Sequence, residues 1–253
     1  MTRYGACAVL EIRELTKRFG PRTVLDRVSL TVPTGCLYGL VGPGASGKSV
    51  LLKSVVGLLA ADQGSVLCEG EDLCRLSELE LQRAREKFGF LFQNYALFDY
   101  LTVFENIAFP LRRKGGITEE SLAKRVESRL EKVSLTGFGS RWTSGLSGGQ
   151  KKRVGVARAT VSNAPFVLYD EPAAGLDPVT SQKIFNLLRA EQREANATVI
   201  MVSSDIDRLL TVTDRVGMLL NGRLIFDGTT EEARACETPE VRQFVRGEVD
   251  GPL

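Results

Sequence analysis

The sequence predicts an α/β fold with a parallel sheet at its core, an N-terminal antiparallel β subdomain and an inserted helical subdomain. Short apolar runs typical of buried strands alternate with segments of helical periodicity, which is the pattern of a parallel sheet. Residues 8–32 instead alternate apolar and polar side chains, as antiparallel strands do. Residues 94–163 are mostly helical and interrupt the alternation, so we expect them to form the inserted subdomain.

The individual elements follow from local pattern and turn chemistry. Residues 8–13 and 23–32 alternate around a turn at Phe19-Gly20-Pro21, and a hairpin near the end of the chain turns at Asn221-Gly222. The other predicted strands are residues 36–41, 88–92, 166–169, 197–203, 216–220 and 223–226. The predicted helices are residues 49–59, 77–87 and 179–195, and a helix that begins at Thr118.

The composition favours a folded protein and argues against nucleic acid as a partner. Hydrophobic residues make up 43% of the sequence and charged residues 25%, which permits a sizeable core. The 33 basic and 31 acidic side chains leave a net charge of +2, too small to steer the protein to DNA or RNA. There is no histidine, so histidine-ligated metal sites and histidine acid–base catalysis are excluded.

Cysteine usage and hydropathy indicate the cellular compartment in which we expect the protein. None of the five cysteines belongs to a C-x-x-C pair, which favours free thiols in a reducing cytosol. The first ten residues lack the apolar segment of a signal peptide. No apolar run approaches the roughly 20 residues that a spanning helix needs. If the protein works at a membrane, we expect another chain to supply the span.

A glycine-rich loop after the predicted strand 36–41 carries the strongest chemical signal. It fits the G-x-x-x-x-G-K-S pattern of a phosphate-binding loop, with a strand before it and a helix after it. Backbone N–H groups and the helix N-terminus would bind phosphates, Lys48 would reach the β- and γ-phosphates, and Ser49 would ligate Mg²⁺. The alternative is a structural glycine-rich turn. The loop consists of Gly42, Pro43, Gly44, Ala45, Ser46, Gly47, Lys48 and Ser49.

Two carboxylates follow the apolar strand 166–169. Asp170 would hold Mg²⁺ through water, and Glu171 would polarise the attacking water. The alternative is an acidic pair that caps a helix. The phosphate-binding loop makes the catalytic interpretation the stronger one and predicts a P-loop NTPase that uses a nucleoside triphosphate and Mg²⁺.

A second anion-binding surface precedes this strand. Ser147, Gly148, Gly149 and Gln150, in the run Leu-Ser-Gly-Gly-Gln, offer donors at a helix start. Two phosphate surfaces with one nucleotide pattern suggest that they act across a dimer. With this pentapeptide, the chain resembles the ATPase subunits of ABC transporters over nearly its whole length.

The resemblance implies roles for three further residues. Phe19 stands where the adenine-stacking aromatic is expected, Gln93 matches the glutamine that contacts Mg²⁺ and water, and Asp177 belongs to a loop along the dimer seam. Each has a plainer alternative. Phe19 could be a core side chain, Gln93 an ordinary polar residue at a strand end, and Asp177 only a helix N-cap.

One position departs from the family pattern. After the strand 197–203 the family has a histidine that contacts the γ-phosphate and supports the catalytic glutamate, and this chain has Ser204. A serine hydroxyl is shorter and carries no positive charge. Losing one preorganised contact costs roughly 10²–10³ in rate. We therefore expect either slow hydrolysis with intact ATP binding, or a role for Ser204 through water.

The resemblance also implies the domain organisation and the assembly. We expect a single ABC ATPase domain: residues 1–93 and 164–238 form the nucleotide-binding core, 94–163 the helical subdomain and 239–253 a C-terminal extension. One copy of each motif implies a homodimer. The aromatic segment 91–111 is core in part, and in part a groove for a helix of a transmembrane permease.

Two separate segments, 96–111 and 241–253, are similar to the Mla-type (MCE-system) phospholipid transport ATPases. This resemblance implies an MCE lipid-binding protein, a STAS-domain protein and a location at the cytoplasmic face of the bacterial inner membrane. It also implies that the tail docks on the neighbouring ATPase subunit through Val241, Phe244 and Val245, the alternative being a frayed terminus.

Other functions stay open at this point. The cargo could be a lipoprotein or an amino acid instead of phospholipid. The chain could also be an ATP-gated module with little hydrolysis, which the missing histidine favours and Glu171 opposes. A soluble DNA-repair ATPase would need a long coiled-coil or zinc insertion, which the sequence lacks.

Overall fold

The computed structural model describes residues 8–253. Cys7 lies outside the described residues, as do most of the first ten residues, which we expect to lack a signal peptide. The strands of this part form a four-stranded and a six-stranded sheet. They are β1 (Ala8–Phe19), β2 (Arg22–Pro33), β3 (Leu37–Val41), β4 (Gln63–Cys68), β5 (Glu71–Asp72), β6 (Phe88–Leu91), β7 (Phe166–Asp170), β8 (Thr198–Val202), β9 (Arg215–Leu220) and β10 (Arg223–Thr229).

The four-stranded sheet is antiparallel, in the order β2-β1-β4-β5. Its first hairpin turns at Gly20-Pro21, with Phe19 opposite Arg22, which confirms the predicted N-terminal strands. The sequence did not predict β4 and β5. They have only six and two residues, and they form because β4 pairs along the open edge of β1.

The six-stranded sheet has the order β10-β9-β3-β8-β7-β6. All its pairings are parallel except that of β10 with β9, whose hairpin turns at Asn221-Gly222. β3, β7 and β8 are buried along their whole length, as strands covered on both faces must be. The predicted α/β class with a parallel core sheet is confirmed.

The helices predicted at 49–59, 77–87 and 179–195 are present and differ mainly in their ends, whereas the helices at Ile206–Val212 and Thr230–Ala235 were not predicted. The first ends at Val55 instead of Leu59, because Gly57 adopts a left-handed conformation with φ of 66°. The second gives way to a 3₁₀ turn at Arg85–Lys87. The helices are α1 (Lys48–Val55), α2 (Glu78–Ala84), α3 (Val103–Lys114), α4 (Glu119–Lys132), α5 (Gly148–Thr160), α6 (Pro178–Ala195), α7 (Ile206–Val212), α8 (Thr230–Ala235) and α9 (Pro239–Arg246).

The parallel sheet separates two hydrophobic clusters. Neighbours in one strand belong to different clusters, as Leu168 and Tyr169 do, because successive side chains point to opposite faces. One face packs against α1 and the antiparallel sheet. The other face shares its cluster with α3, α4, α5 and α6, so the helical insertion and the sheet have a common core.

The C-terminal residues pack on their own chain. Val241 is buried in the cluster that contains the insertion, and Phe244 and Val245 pack against it. The side chain of Gln243 accepts a hydrogen bond from the Leu253 N–H. The apolar side chains expected to support docking on a neighbouring subunit are therefore used within the chain.

Within residues 8–253, we find no helix both long enough and apolar enough to traverse a bilayer.

Candidate functional site

The glycine-rich loop joins the carboxyl end of β3 to the start of α1. Gly42 has φ of 143°, and a Cβ atom there would lie 2.0 Å from the Leu219 carbonyl oxygen, so only glycine fits. Gly47 is the N-cap of α1 and makes no side-chain cap. The first turn of this helix therefore has N–H groups for a ligand instead of a capping side chain.

Lys48 lies over the loop that precedes it. Its Nζ donates to the Gly42 and Pro43 carbonyl oxygens at 2.7 Å each and to Ser46 Oγ at 3.3 Å. Burial lowers the pKa of Lys48, and the charges of Glu171 and Asp170 oppose that shift. A phosphate group would stabilise the same ammonium, as the loop pattern predicts.

Ser49 and Asp170 meet across 121 residues of sequence. The Ser49 hydroxyl donates to Asp170 Oδ1 at 2.9 Å, and Asp170 is only 2% exposed at the end of β7. Burial raises the pKa of the Asp170 carboxyl, and the Ser49 hydrogen bond opposes the shift. Since α6 takes its N-cap from Asp177, the helix-capping alternative for Asp170 and Glu171 is wrong. The Ser49 hydroxyl and the Asp170 carboxylate thus place two oxygen atoms close together, and oxygen atoms are the ligands that Mg²⁺ prefers.

Glu171 is turned out of its strand toward the end of β8. Its backbone φ of 54° is left-handed, which is uncommon for a non-glycine residue and recurs at functional sites. Its N–H donates to the Val202 carbonyl oxygen at 3.0 Å. Its Oε2 accepts two hydrogen bonds of 3.1 Å, from the N–H and the hydroxyl of Ser204. Ser204 thus contacts the carboxylate directly, without an intervening water.

We predict that Ser204→Ala lowers kcat for ATP roughly five- to tenfold, because it removes one of two hydrogen bonds that orient Glu171, worth about 1–1.5 kcal/mol. Ser204→His, which adds a longer side chain able to carry positive charge, should hydrolyse ATP faster than the parent. Phosphate release under saturating ATP measures both.

The matched control for Ser204 is Ser128→Ala, an exposed serine on α4. It should keep the parent rate. A Ser204→Ala variant with parent kcat would show that the backbone N–H alone holds Glu171. A Ser204→His variant no faster than the parent would remove the idea that the serine limits hydrolysis.

Gln93 and Phe19 lie at exposed positions next to strand ends. Leu91 of β6 is paired with Tyr169 of the parallel strand β7. Gln93 therefore follows the carboxyl end of β6, on the same side of the sheet as Glu171, which follows the carboxyl end of β7. Phe19 ends β1 with 47% of its surface exposed and Lys17 Nζ 5.4 Å from its ring centroid. The core alternative for Phe19 is thereby excluded, and its stacking on adenine stays a prediction.

The remaining predicted residues lie at the N-terminal ends of α5 and α6. Ser147 caps α5 in a capping box with Gln150, in which the Ser147 N–H donates to Gln150 Oε1 at 2.9 Å and the Gln150 N–H to Ser147 Oγ at 3.3 Å. Asp177 accepts from the N–H groups of Val179 and Thr180. Side-chain contacts thus join Ser49 with Asp170 and Glu171 with Ser204, whereas Ser147 and Asp177 make theirs within their own helices.

One residue near the site was missed by the sequence analysis. Lys152 is 1% exposed, and its Nζ donates to the Ala174 carbonyl oxygen between Glu171 and Asp177. The sequence does contain a sign that Lys152 is buried. Lys152 is four residues before the apolar Val156, so both lie on the same face of the helix.

The fold and this site define a member of the ABC transporter family. The family model for ABC transporters matches residues 25–174, more than half of the chain, and the chain belongs to that family. It is an ATP-binding and ATP-hydrolysing subunit. The family predicted from the motifs is confirmed.

Two ATP-binding proteins of transport systems and one solved structure are similar to the chain over most of its length. MlaF of Haemophilus influenzae, the ATP-binding protein of an intermembrane phospholipid transport system, is 36% identical over 97% of this chain and 93% of its own length. The probable ribonucleotide transport ATP-binding protein mkl of Mycobacterium leprae is 38% identical over 96% of this chain and 70% of its own length. The dimeric post-hydrolysis structure of the ATP-binding cassette MJ0796 with ADP and Pi superposes with a TM-score of 0.82 at 31% identity, covering 87% of this chain and 98% of that one.

Proposed function

We propose that this subunit drives phospholipid transport across a bacterial envelope. The observation that supports phospholipid as the cargo is the match to MlaF, which spans nearly the full length of both chains. The similarity to mkl favours ribonucleotides as a second candidate cargo, and it covers less of that protein. Neither candidate changes the ATPase site.

In this proposal, the site binds Mg-ATP through the residues predicted from the motifs. The loop Gly42–Ser49 and the start of α1 hold the phosphates, and Ser49, Asp170 and Gln93 hold Mg²⁺, which neutralises charge on the phosphates. Phe19 stacks on the adenine. The contact between Ser49 and Asp170 supports the metal assignment, because it collects oxygen ligands beside Lys48.

Two copies of the chain act as a sandwich dimer. Each ATP lies between the phosphate-binding loop of one copy and the Ser147–Gln150 segment of the other, with Asp177 along the seam. Ser147 and Gly148 are exposed, which such a contact requires, and the similar MJ0796 cassette is dimeric. ATP favours the closed dimer, and Glu171-assisted attack of water allows reopening.

The permease docks in an apolar groove beside the insertion. A cavity of about 410 Å³ is lined by aromatic side chains with basic residues among them: Phe88, Phe90, Phe92, Phe98, Phe109, Arg85, Arg113 and Lys114. Phe98 and Phe109 are in ring contact, with centroids 4.9 Å apart. A helix with an apolar face fits such a groove. The other proposed partners are an MCE lipid-binding protein and a STAS-domain protein, at the cytoplasmic face of the inner membrane.

We predict that Phe109→Asp lowers recovery of the permease with the affinity-tagged chain at least roughly tenfold, because it places a charge in an apolar contact. Phe109 is 41% exposed on α3. The control Ile225→Asp changes an exposed apolar residue on β10, at the opposite edge of the sheet from β6, and should keep the permease. Equal recovery in both variants would contradict the groove as the docking site.

The cargo is tested on the assembly purified from native membranes with the tagged chain. Mass spectrometry identifies bound small molecules, and ATPase activity is measured with phospholipid vesicles and with ribonucleotides. Bound phospholipid and stimulation by vesicles would support the proposal. Ribonucleotide-specific stimulation without bound lipid would replace it with the second candidate. A Glu171→Gln assembly controls for ATP hydrolysis by contaminants.

A further inference from the structure

A buried lysine contacts two turns of the site, one that follows Glu171 and one that contains Gln93. Lys152, on α5, is 1% exposed. Its Nζ donates to the Ala174 carbonyl oxygen and lies 5.4 Å from the centroid of the Tyr95 ring. Burying a cation costs free energy unless its donors and charge are compensated, and these two contacts supply part of that compensation.

Both partners lie next to residues of the ATPase site. Ala174 belongs to the turn between Glu171 and Asp177, where its N–H faces the Glu171 carbonyl oxygen at 3.4 Å. Tyr95 lies two residues after Gln93, and its N–H donates to the Phe92 carbonyl oxygen at 2.8 Å. One ammonium therefore contacts the turn that follows Glu171 and the turn that contains Gln93.

The helix that carries Lys152 is held tightly against the second of these turns. Arg158, further along α5, donates to the carbonyl oxygens of Tyr95 and Ala96. A Cβ atom at Gly155 would lie 2.7 Å from Leu91 Cδ1, so the helix approaches the end of β6 closely. Contacts of Arg158 and Gly155 therefore join α5 to the Tyr95 turn, and the hydrogen bond of Lys152 joins it to the Ala174 turn.

The charge of Lys152 is balanced against the reacting carboxylate. Burial lowers the pKa of Lys152, and the negative charge of Glu171 opposes that shift. The same helix is capped by Ser147, the predicted contact to the ATP of the partner subunit. Lys152 thus lies on the helix that Ser147 caps and interacts electrostatically with the carboxylate that acts on water.

We propose that Lys152 is a positioning residue for ATP hydrolysis. It fixes the position of the turn after Glu171 relative to the turn that contains Gln93, and it connects both turns to the helix that Ser147 caps. It touches neither nucleotide nor reacting water, and acts through the placement of the two turns. Its removal should slow the chemical step without weakening the binding of ATP, since the phosphate-binding loop stays intact.

The test compares Lys152→Met and Lys152→Arg in the full-length chain. We expect the methionine variant to lose roughly tenfold in kcat, the loss of one positioning contact of about 1.4 kcal/mol, with KM for Mg-ATP within about twofold of the parent. The arginine variant, which keeps the charge and donors, should recover part of that loss. Lys151→Met, one position earlier and less buried, is the matched control and should keep the parent kcat.

Two results with Lys152→Met would overturn the proposal. One is a Lys152→Met variant with parent kcat. The other is a loss of kcat accompanied by an equal loss of ATP affinity and of thermal stability, which a purely structural role would produce. If Lys152→Met does not fold, Lys152→Gln decides, because glutamine keeps a polar side chain at this buried position but is one atom shorter and lacks the ammonium that contacts both the Ala174 carbonyl oxygen and the Tyr95 ring. A parent-like kcat in Lys152→Gln also overturns it if Lys152→Met does not fold, and a reduced kcat with parent-like ATP affinity supports it.

Discussion

Replacing Glu171 with glutamine is expected to lower steady-state ATP hydrolysis by roughly 10²–10⁴-fold, the usual contribution of a general base. The amide keeps the size of the side chain and an oxygen that can accept from the N–H and hydroxyl of Ser204. It cannot take a proton from water. Binding of ATP should persist, because Lys48, Ser49 and Asp170 are unchanged. The variant should therefore accumulate as an ATP-bound dimer.

Phosphate release measures the rate, and size-exclusion chromatography with Mg-ATP measures dimer formation. The control is Glu131→Gln, an exposed carboxylate on α4, which should hydrolyse ATP at the parent rate. Parent activity in Glu171→Gln would show that another group activates the water. Absence of hydrolysis in the parent, with ATP still bound, would favour the ATP-gated module and make Ser204 the first residue to change.

Replacing Arg129 with methionine is expected to cost about 3 kcal/mol of unfolding free energy, near the lower end for breaking a buried ion pair. Arg129 on α4 pairs with Glu191 on α6 and donates to Asn163. Arg129 and Glu191 are each 8% exposed. The variant leaves Glu191 buried without its main partner. Lys132 Nζ, 3.1 Å from Glu191 Oε1, compensates in part, which is why the lower end is expected.

Urea unfolding followed by circular dichroism measures the loss. The control is Arg125→Met, a partly exposed arginine one turn earlier on α4, which should change stability by less than about 0.5 kcal/mol. The double variant Arg129→Met/Glu191→Leu should recover most of the stability, because no charge then stays buried. A double variant as unstable as the single one would show that packing, not the ion pair, joins α4 to α6.

Local chemistry let the sequence predict most of the elements that build the site. The strand before Gly42 and the helix after Gly47 follow from a short apolar run and a glycine pattern, which need no distant partner. Thr118 and Asp177 are N-caps in the structure, as their residue types indicate. The sequence failed at β4 and β5, because these short strands depend on the free edge of β1.

The sequence by itself determined which groups the protein brings to its chemistry: the phosphate-binding loop, the carboxylates Asp170 and Glu171, and a serine where the family has histidine. Only the tertiary structure decided how these groups meet. Ser204 binds Glu171 because β7 and β8 are parallel neighbours that end at one edge of the sheet. Lys152 is buried, and Val241 packs into the core of its own chain, because contacts between distant segments exclude water from them. Burial of this kind is a property of the packed chain, and the spacing of Lys152 and Val156 on α5 is only a partial sign of it.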